Sequence, residues 1–239
     1  MDDNSRADHG GNVDAFSTTE EITQAREQFN DGLFPQEREI VEEYFSAGES
    51  VLDLGCGAGR TTVQLVDYDL DVVAVDVSES MVEAARSLTG DTSLGIADVT
   101  QLPFADNSFD NVLFSYNGLA YPYPAVERLR ALSEIRRILN PNGTFAFSSH
   151  NAWYTLPALV SDWGFLRKFH LGPENKHRSF CRYKVDRHDY TSLETYFSNP
   201  FHQWRQLRRE GFRLEAMIGK RDSPLRFFER GPYYVARPV

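Results

Sequence analysis

Chemistry-bearing residues are densest in the run VLDLGCGAGR, residues 51–60. Gly55, Gly57 and Gly59 stand two residues apart. Glycines so placed let a backbone take positive φ and come close to a ligand. A dinucleotide site uses G-x-G-x-x-G, which sets a pyrophosphate on a helix N-terminus. Here the spacing is G-x-G-x-G, Arg60 stands where a last glycine would fall, and Asp53 lies two residues before Gly55. A carboxylate there suits a cationic ligand better than a pyrophosphate. Asp76 ends the apolar run 71–76, and Asp98 with Val99 ends another. Two further runs end in Ser115-Tyr116-Asn117-Gly118 and Ser148-Ser149-His150-Asn151. His150 is the general-base candidate, because its ordinary pKa is near neutral. Tyr116 and Asn117 are candidates to line the reaction site or the inner end of a cofactor. Cys56 reads as a small packing residue. Neither it nor Cys181 belongs to a C-x-x-C pair or zinc spacing, and no metal-ligand cluster stands out.

These residues need a scaffold. Ser17, Thr18 and Thr19 offer caps for a helix, and a second helix is expected over 35–45 with Pro35 in its first turn. From residue 50 strand and helix alternate. Strands are expected at 50–54, 71–76, 93–97, 111–115 and 144–148, and helices at 60–67, from the Ser78 cap through Leu88, and at 125–139; Pro141-Asn-Gly143 reads as a turn. Such alternation argues for a parallel sheet covered on both faces. A helix over 200–210 and strands over 211–218 and 233–236 follow. All the candidate residues then map to the carboxyl ends of strands, where open α/β sheets bind ligands.

The 51–60 segment resembles motif I of the class I S-adenosylmethionine-dependent methyltransferases. Asp76, 17 residues after Gly59, matches the family's acid for the ribose hydroxyls. Ala97-Asp98-Val99 matches the acid near the adenine amino group, and Leu102-Pro103-Phe104 with Ser108-Phe109-Asp110 matches the lead into the fourth strand. The resemblance covers roughly 35–150 and resumes at 199–239. It implies a Rossmann-like α/β fold, with a seven-stranded, mostly parallel sheet, helices on both faces and an inserted acceptor-binding cap. It also implies S-adenosylmethionine as cofactor, held by Asp53, Gly55, Gly57, Gly59, Asp76, Asp98, Val99 and Ser115, with His150 and Tyr116 as catalytic candidates. The domain reading is a flexible 1–17, a cofactor-binding core over 18–150, the cap over 151–198, and 199–239 completing the core.

The cap is aromatic and basic. Of 239 residues with net charge −10, residues 1–150 carry net −17 and residues 151–239 net +7. Arg forks match carboxylates, so Arg167, Arg178 and Arg182 are expected to hold a small anionic acceptor, with a hexuronic acid of a surface glycan as the specific case. An RNA methyltransferase is the rival, since basic aromatic surfaces can stack bases; the acidic body speaks against nucleic acid. A non-catalytic cofactor-binding protein is a third reading. The polar, acidic start and the absence of an apolar run near the roughly 18 residues of a membrane span point to the cytoplasm.

Overall fold

A computed structural model describes residues 16–159, 162–164, 167, 169, 182–188, 191–220 and 223–239. In chain order the helices are α1 (Thr19–Gln28), α2 (Pro35–Tyr44), α3 (Arg60–Asp67), α4 (Glu79–Arg86), α5 (Ala125–Ile138) and α6 (Pro200–Arg209). The strands are β1 (Ser50–Leu54), β2 (Asp71–Asp76), β3 (Ser93–Ile96), β4 (Phe109–Phe114), β5 (Leu139–Ser148), β6 (Arg182–His188), β7 (Thr191–Phe197), β8 (Phe212–Ile218) and β9 (Tyr233–Pro238). Seven strands form one sheet in the order β3-β2-β1-β4-β5-β9-β8. The first five run parallel, while β9 is antiparallel to both β5 and β8. β6 and β7 make a separate antiparallel hairpin in the expected cap.

The period of two along each strand decides which side chains meet which helices. Leu52, Leu54, Val112, Phe114, Phe145, Phe147 and Tyr234 join one core with Ala131, Leu132 and Ile135 of α5 and Leu207 of α6. Val51, Leu113, Ala146, Tyr233 and Val235 join the other, with Ile40 and Val41 of α2 and Leu65 of α3. Asp53 and Ser115 stay in phase with Val51 and Leu113, so they face α2 and α3. Local rules set the helix starts. Ser78 caps α4 by accepting from Met81 N–H, and Asn199 caps α6, whose first residue is Pro200.

One element departs from its expected form. Residues 139–143, read as a helix end and a turn, belong to β5, and Leu139 pairs with Phe109. Leu139 is fully buried, and that burial outweighs the turn preference of Pro141-Asn-Gly143. Among the described residues no helix is long and apolar enough to cross a membrane.

Candidate cofactor and acceptor site

The glycine loop leaves β1 at the point where strand order reverses between β1 and β4, the usual ligand position in such sheets. The Gly55 and Cys56 N–H groups donate to the Val75 carbonyl at 2.8 and 3.0 Å, tying the loop to β2. Gly55, Gly57 and Gly59 have φ of +67, +54 and +90°, the left-handed region that side chains disfavour. Their surroundings differ. A Cβ on Gly55 would lie 2.8 Å from the Phe114 ring, and one on Gly59 would run into Thr89 Cγ2. One on Gly57 would meet nothing within 4 Å. Gly55 and Gly59 therefore serve packing within the protein, whereas Gly57 borders open space.

Beneath this loop Asp53 is 1% exposed. Its Oδ2 accepts from the Thr61 and Thr62 hydroxyls at 2.7 and 2.6 Å, and its Oδ1 has no partner among the described residues. Burial pushes its pKa to about 6 against the two threonine bonds. A buried acceptor oxygen without a donor is costly and suits a ligand N–H. The Asp76 carboxylate accepts from Gly57 N–H and Ser78 N–H, both at 2.9 Å. Burial raises its pKa against those bonds, and each oxygen keeps acceptor capacity for a hydroxyl pair. Asp98 Oδ1 accepts from the N–H and hydroxyl of Thr100, both at 2.8 Å, while Val99 packs against the core. Three acids thus stand at the carboxyl ends of β1, β2 and β3. This set of acceptors fits a cation bearing an ammonium and a ribose, and the open side of Gly57 leaves it room.

Ser115, expected at the cofactor, is engaged elsewhere. Its hydroxyl donates to Glu37 Oε1 and bonds Tyr233 OH. Glu37 is fully buried. It takes both Arg60 guanidinium nitrogens at 2.7 Å, Tyr233 OH at 2.7 Å and the Phe34 N–H at 2.7 Å. Burial pushes the Glu37 carboxyl up, but Arg60, Ser115 and Tyr233 together hold it below its ordinary value. Arg60 also donates to the Gly32 carbonyl at 2.6 Å and lies 4.2 Å over the Phe34 ring. This pair fixes the first residue of α3, and with it the loop, to α2, β4 and β9. The one local trace of it in the sequence is Glu37 three residues after Phe34, the capping-box spacing; its partner lies 23 residues away.

At the ends of β4 and β5 the acceptor candidates gather. Tyr116, at φ +50°, is exposed; its hydroxyl accepts from Gln28 of α1 at 3.0 Å and its ring lies 6.3 Å from Phe34. Asn117 N–H donates to Ser148 Oγ at 2.6 Å. The buried Asn117 Oδ1 and Ser149 Oγ have no partner among the described residues. The His150 ring stacks on Phe197 at 4.9 Å and meets Tyr121 edge-on at 6.3 Å. These belong to a continuous series of rings. Phe16 lies 4.9 Å from Tyr121, Phe169 lies 5.4 Å from Phe197, and Tyr154 lies 5.6 Å from Phe169. The series runs from Phe16 to rings within residues 151–198. Ser17 and Phe16 also bond Ser78, so the N-terminal segment spans the end of β2.

Two buried groups escaped sequence reasoning because their partners are remote. Asn151 bridges Ser198 through its backbone and donates through Nδ2 to the Phe227 and Glu229 carbonyls at 2.8 and 2.9 Å. Arg128 donates to the Leu119 carbonyl and to Gln203, under the Tyr196 ring. Of the expected anion-holding arginines, Arg167 is exposed. Arg178, like Cys181, lies outside the described residues; Arg182 opens β6 opposite Phe197, its side chain also outside them.

Residues 51–143 match the family described as methyltransferase domain. The chain is 38% identical over 128 residues to a demethylmenaquinone methyltransferase of Beutenbergia cavernae, a match covering 53% of this chain and 50% of that one. It thus spans about half the length of that relative. Its fold is similar to a methyltransferase structure from Methanosarcina mazei, with TM-score 0.68, 19% identity, and coverage of 87% of this chain and 99% of that one. It is also similar to the 1,6-didemethyltoxoflavin-N1-methyltransferase of Burkholderia thailandensis, solved with S-adenosylhomocysteine, with TM-score 0.67, 17% identity, and coverage of 100% and 92%. The glycine loop and its three acids lie within the matched residues 51–143, on a fold that this chain shares with solved S-adenosylmethionine-dependent methyltransferases.

Proposed function

We propose that this chain methylates a small, ring-bearing acceptor. The observation that carries the acceptor class is the series of rings from Phe16 through Tyr121, His150 and Phe197 to Tyr154, since aromatic walls favour a flat partner at offset or edge contact. Relatives named for demethylmenaquinone and 1,6-didemethyltoxoflavin support a small-molecule acceptor. Asp53, Asp76, Asp98 and the Gly57 edge would hold S-adenosylmethionine, which supplies an electrophilic methyl on a sulfonium. The protein's own work is then to orient the acceptor and exclude water. His150 takes the proton of an acceptor hydroxyl or N–H, and Asn117 Oδ1 and Ser149 Oγ offer hydrogen bonds that fix its plane. Tyr116 ties α1 to the end of β4 and acts by positioning.

A second reading is an anionic acceptor, with a hexuronic acid of a surface glycan as the specific case. The net +7 of residues 151–239 and Arg230 poised 5.9 Å over the Tyr154 ring favour it. A carboxylate acceptor needs no base. Label transfer from methyl-tritiated S-adenosylmethionine to a panel of phenols, N-heterocycles and uronic acids separates the two. Ring phenols or heterocycles are expected to take label, and His150→Gln to lose roughly 100-fold in kcat near neutral pH. Label in uronic acids alone would replace the ring reading with the anionic one, and label in RNA alone would overturn both. Full His150→Gln rate at every pH would remove the base.

A further inference from the structure

α6 has the sequence PFHQWRQLRR. It buries Pro200, Gln203 and Leu207 and leaves Phe201 62% and Trp204 38% exposed, one turn apart with ring centroids 5.7 Å apart. Arg205, Arg208 and Arg209 are exposed on the same helix, and it contains no acid. The first carboxylate, Glu210, follows its end and lies 3.6 Å from Arg209. A second element repeats this chemistry. The turn Pro224–Phe228 exposes Leu225, Phe227 and Phe228 at 56, 40 and 39%, between the exposed Lys220 and Arg230. Exposed large apolar side chains among cations mark an interaction surface, and tryptophan, phenylalanine and leucine beside arginine are the composition of helices lying in a lipid interface.

The two elements hang from one residue. Buried Asn151 bridges Ser198, two residues before α6, and its amide holds the Phe227 and Glu229 carbonyls. β9 begins opposite Ser148, the last residue of β5, so the turn before β9 lies at the carboxyl rim of the sheet, on the acceptor side. We propose that α6, which runs from this rim along the sheet towards the start of β8, and the Pro224–Phe228 turn form a docking face that seats this edge of the molecule on an anionic lipid surface. The charge division orients the molecule: net +7 over residues 151–239 is drawn to such a surface, while net −17 over residues 1–150 is repelled. A bilayer fits better than RNA. Arg208 sits 5.7 Å over the Trp204 ring and Phe201 leans against it at 33°, so stacking faces a base would need are taken, whereas insertion among lipid head groups needs only exposed edges.

The proposal goes beyond the methyl-transfer reading and is tested without it. The full chain is floated with vesicles of phosphatidylcholine alone, or of phosphatidylcholine and phosphatidylglycerol in equal parts. It is expected to float with the anionic vesicles only, and less as salt is raised. Phe201→Ser/Trp204→Ser and Arg205→Glu/Arg208→Glu are each expected to cut the bound fraction about tenfold. A cooperative thermal melt of each variant, with the midpoint of the parent, certifies its fold. Failure of the parent chain to float, or flotation of both variants undiminished from the parent's, would overturn the proposal. So would single-stranded RNA binding with the same dependence on Phe201 and Trp204, which assigns the face to nucleic acid.

Discussion

Gly57 and Gly59 share a left-handed backbone but differ in what a methyl group would meet, and that difference separates binding from folding. At Gly57 an added Cβ enters open space, so Gly57→Ala carries only the conformational cost of about 1–2 kcal/mol while filling the ligand's side of the loop. S-adenosylhomocysteine binding is expected to vanish in calorimetry although the protein still melts cooperatively. At Gly59 the Cβ collides with Thr89, so Gly59→Ala adds an overpacking cost of about 1–3 kcal/mol, visible as a lower denaturation midpoint. Asp53 makes a pH prediction. In the fold its pKa rises from 3.8 to about 6 because the group is desolvated. The protonated form therefore favours folding at low pH, and stability is lost as pH rises through that window. Ligand affinity runs the other way, since an ammonium prefers the ionised form. S-adenosylhomocysteine should bind several-fold more weakly at pH 5 than at pH 7, and Asp53→Asn should bind about tenfold more weakly with no such slope, as expected for one charge-assisted hydrogen bond. An equal slope in Asp53→Asn would assign the pH dependence elsewhere. At this scale the glycines and acids could be read from spacing, because motif residues lie close in sequence. The Ser115 hydroxyl could not, because Glu37 lies 78 residues away.

α2 and α3 meet the sheet through the Glu37–Arg60 pair, which makes the loop's position a property of four elements at once. Removing one partner leaves the other charged and buried, so Glu37→Gln is expected to cost about 3–5 kcal/mol of unfolding free energy in urea. Because the Glu37 pKa lies below its ordinary 4.5, its stabilisation is present above that pH and fades as the carboxyl is protonated at lower pH; Glu37→Gln should flatten the acid limb of the stability profile. A Glu37→Gln variant as stable as the parent would remove the pair from this role. Element types were legible because apolar runs alternated with caps such as Ser78, and the ends of α3 and β2 coincide with the runs that announced them. The exception is instructive. Pro141-Asn-Gly143 has turn chemistry, yet Leu139 is drawn into the core opposite Phe109, a tertiary contact that no local pattern encodes.

Across the whole molecule, the strand order places the tops of β1, β2 and β3 in one row, with the ends of β4 and β5 beside them. The alternation of strand and helix and the glycine loop were readable because they rest on short-range patterns repeated along the chain, and the count of seven strands followed from the family resemblance. The ring series proposed to line the acceptor was not. His150, Phe197, Phe169 and Tyr154 come from segments that only the fold brings together. Composition marked the cap as aromatic and basic without saying which rings touch. The central claim is that acids at three strand ends and the open edge of Gly57 form a site for a sulfonium nucleoside rather than for a dinucleotide. Calorimetric titration of the full chain with S-adenosylhomocysteine and, separately, with NAD tests it most directly. One molecule of S-adenosylhomocysteine should bind per chain and NAD should give no heat; NAD binding in its place, or silence with both ligands, would contradict the account.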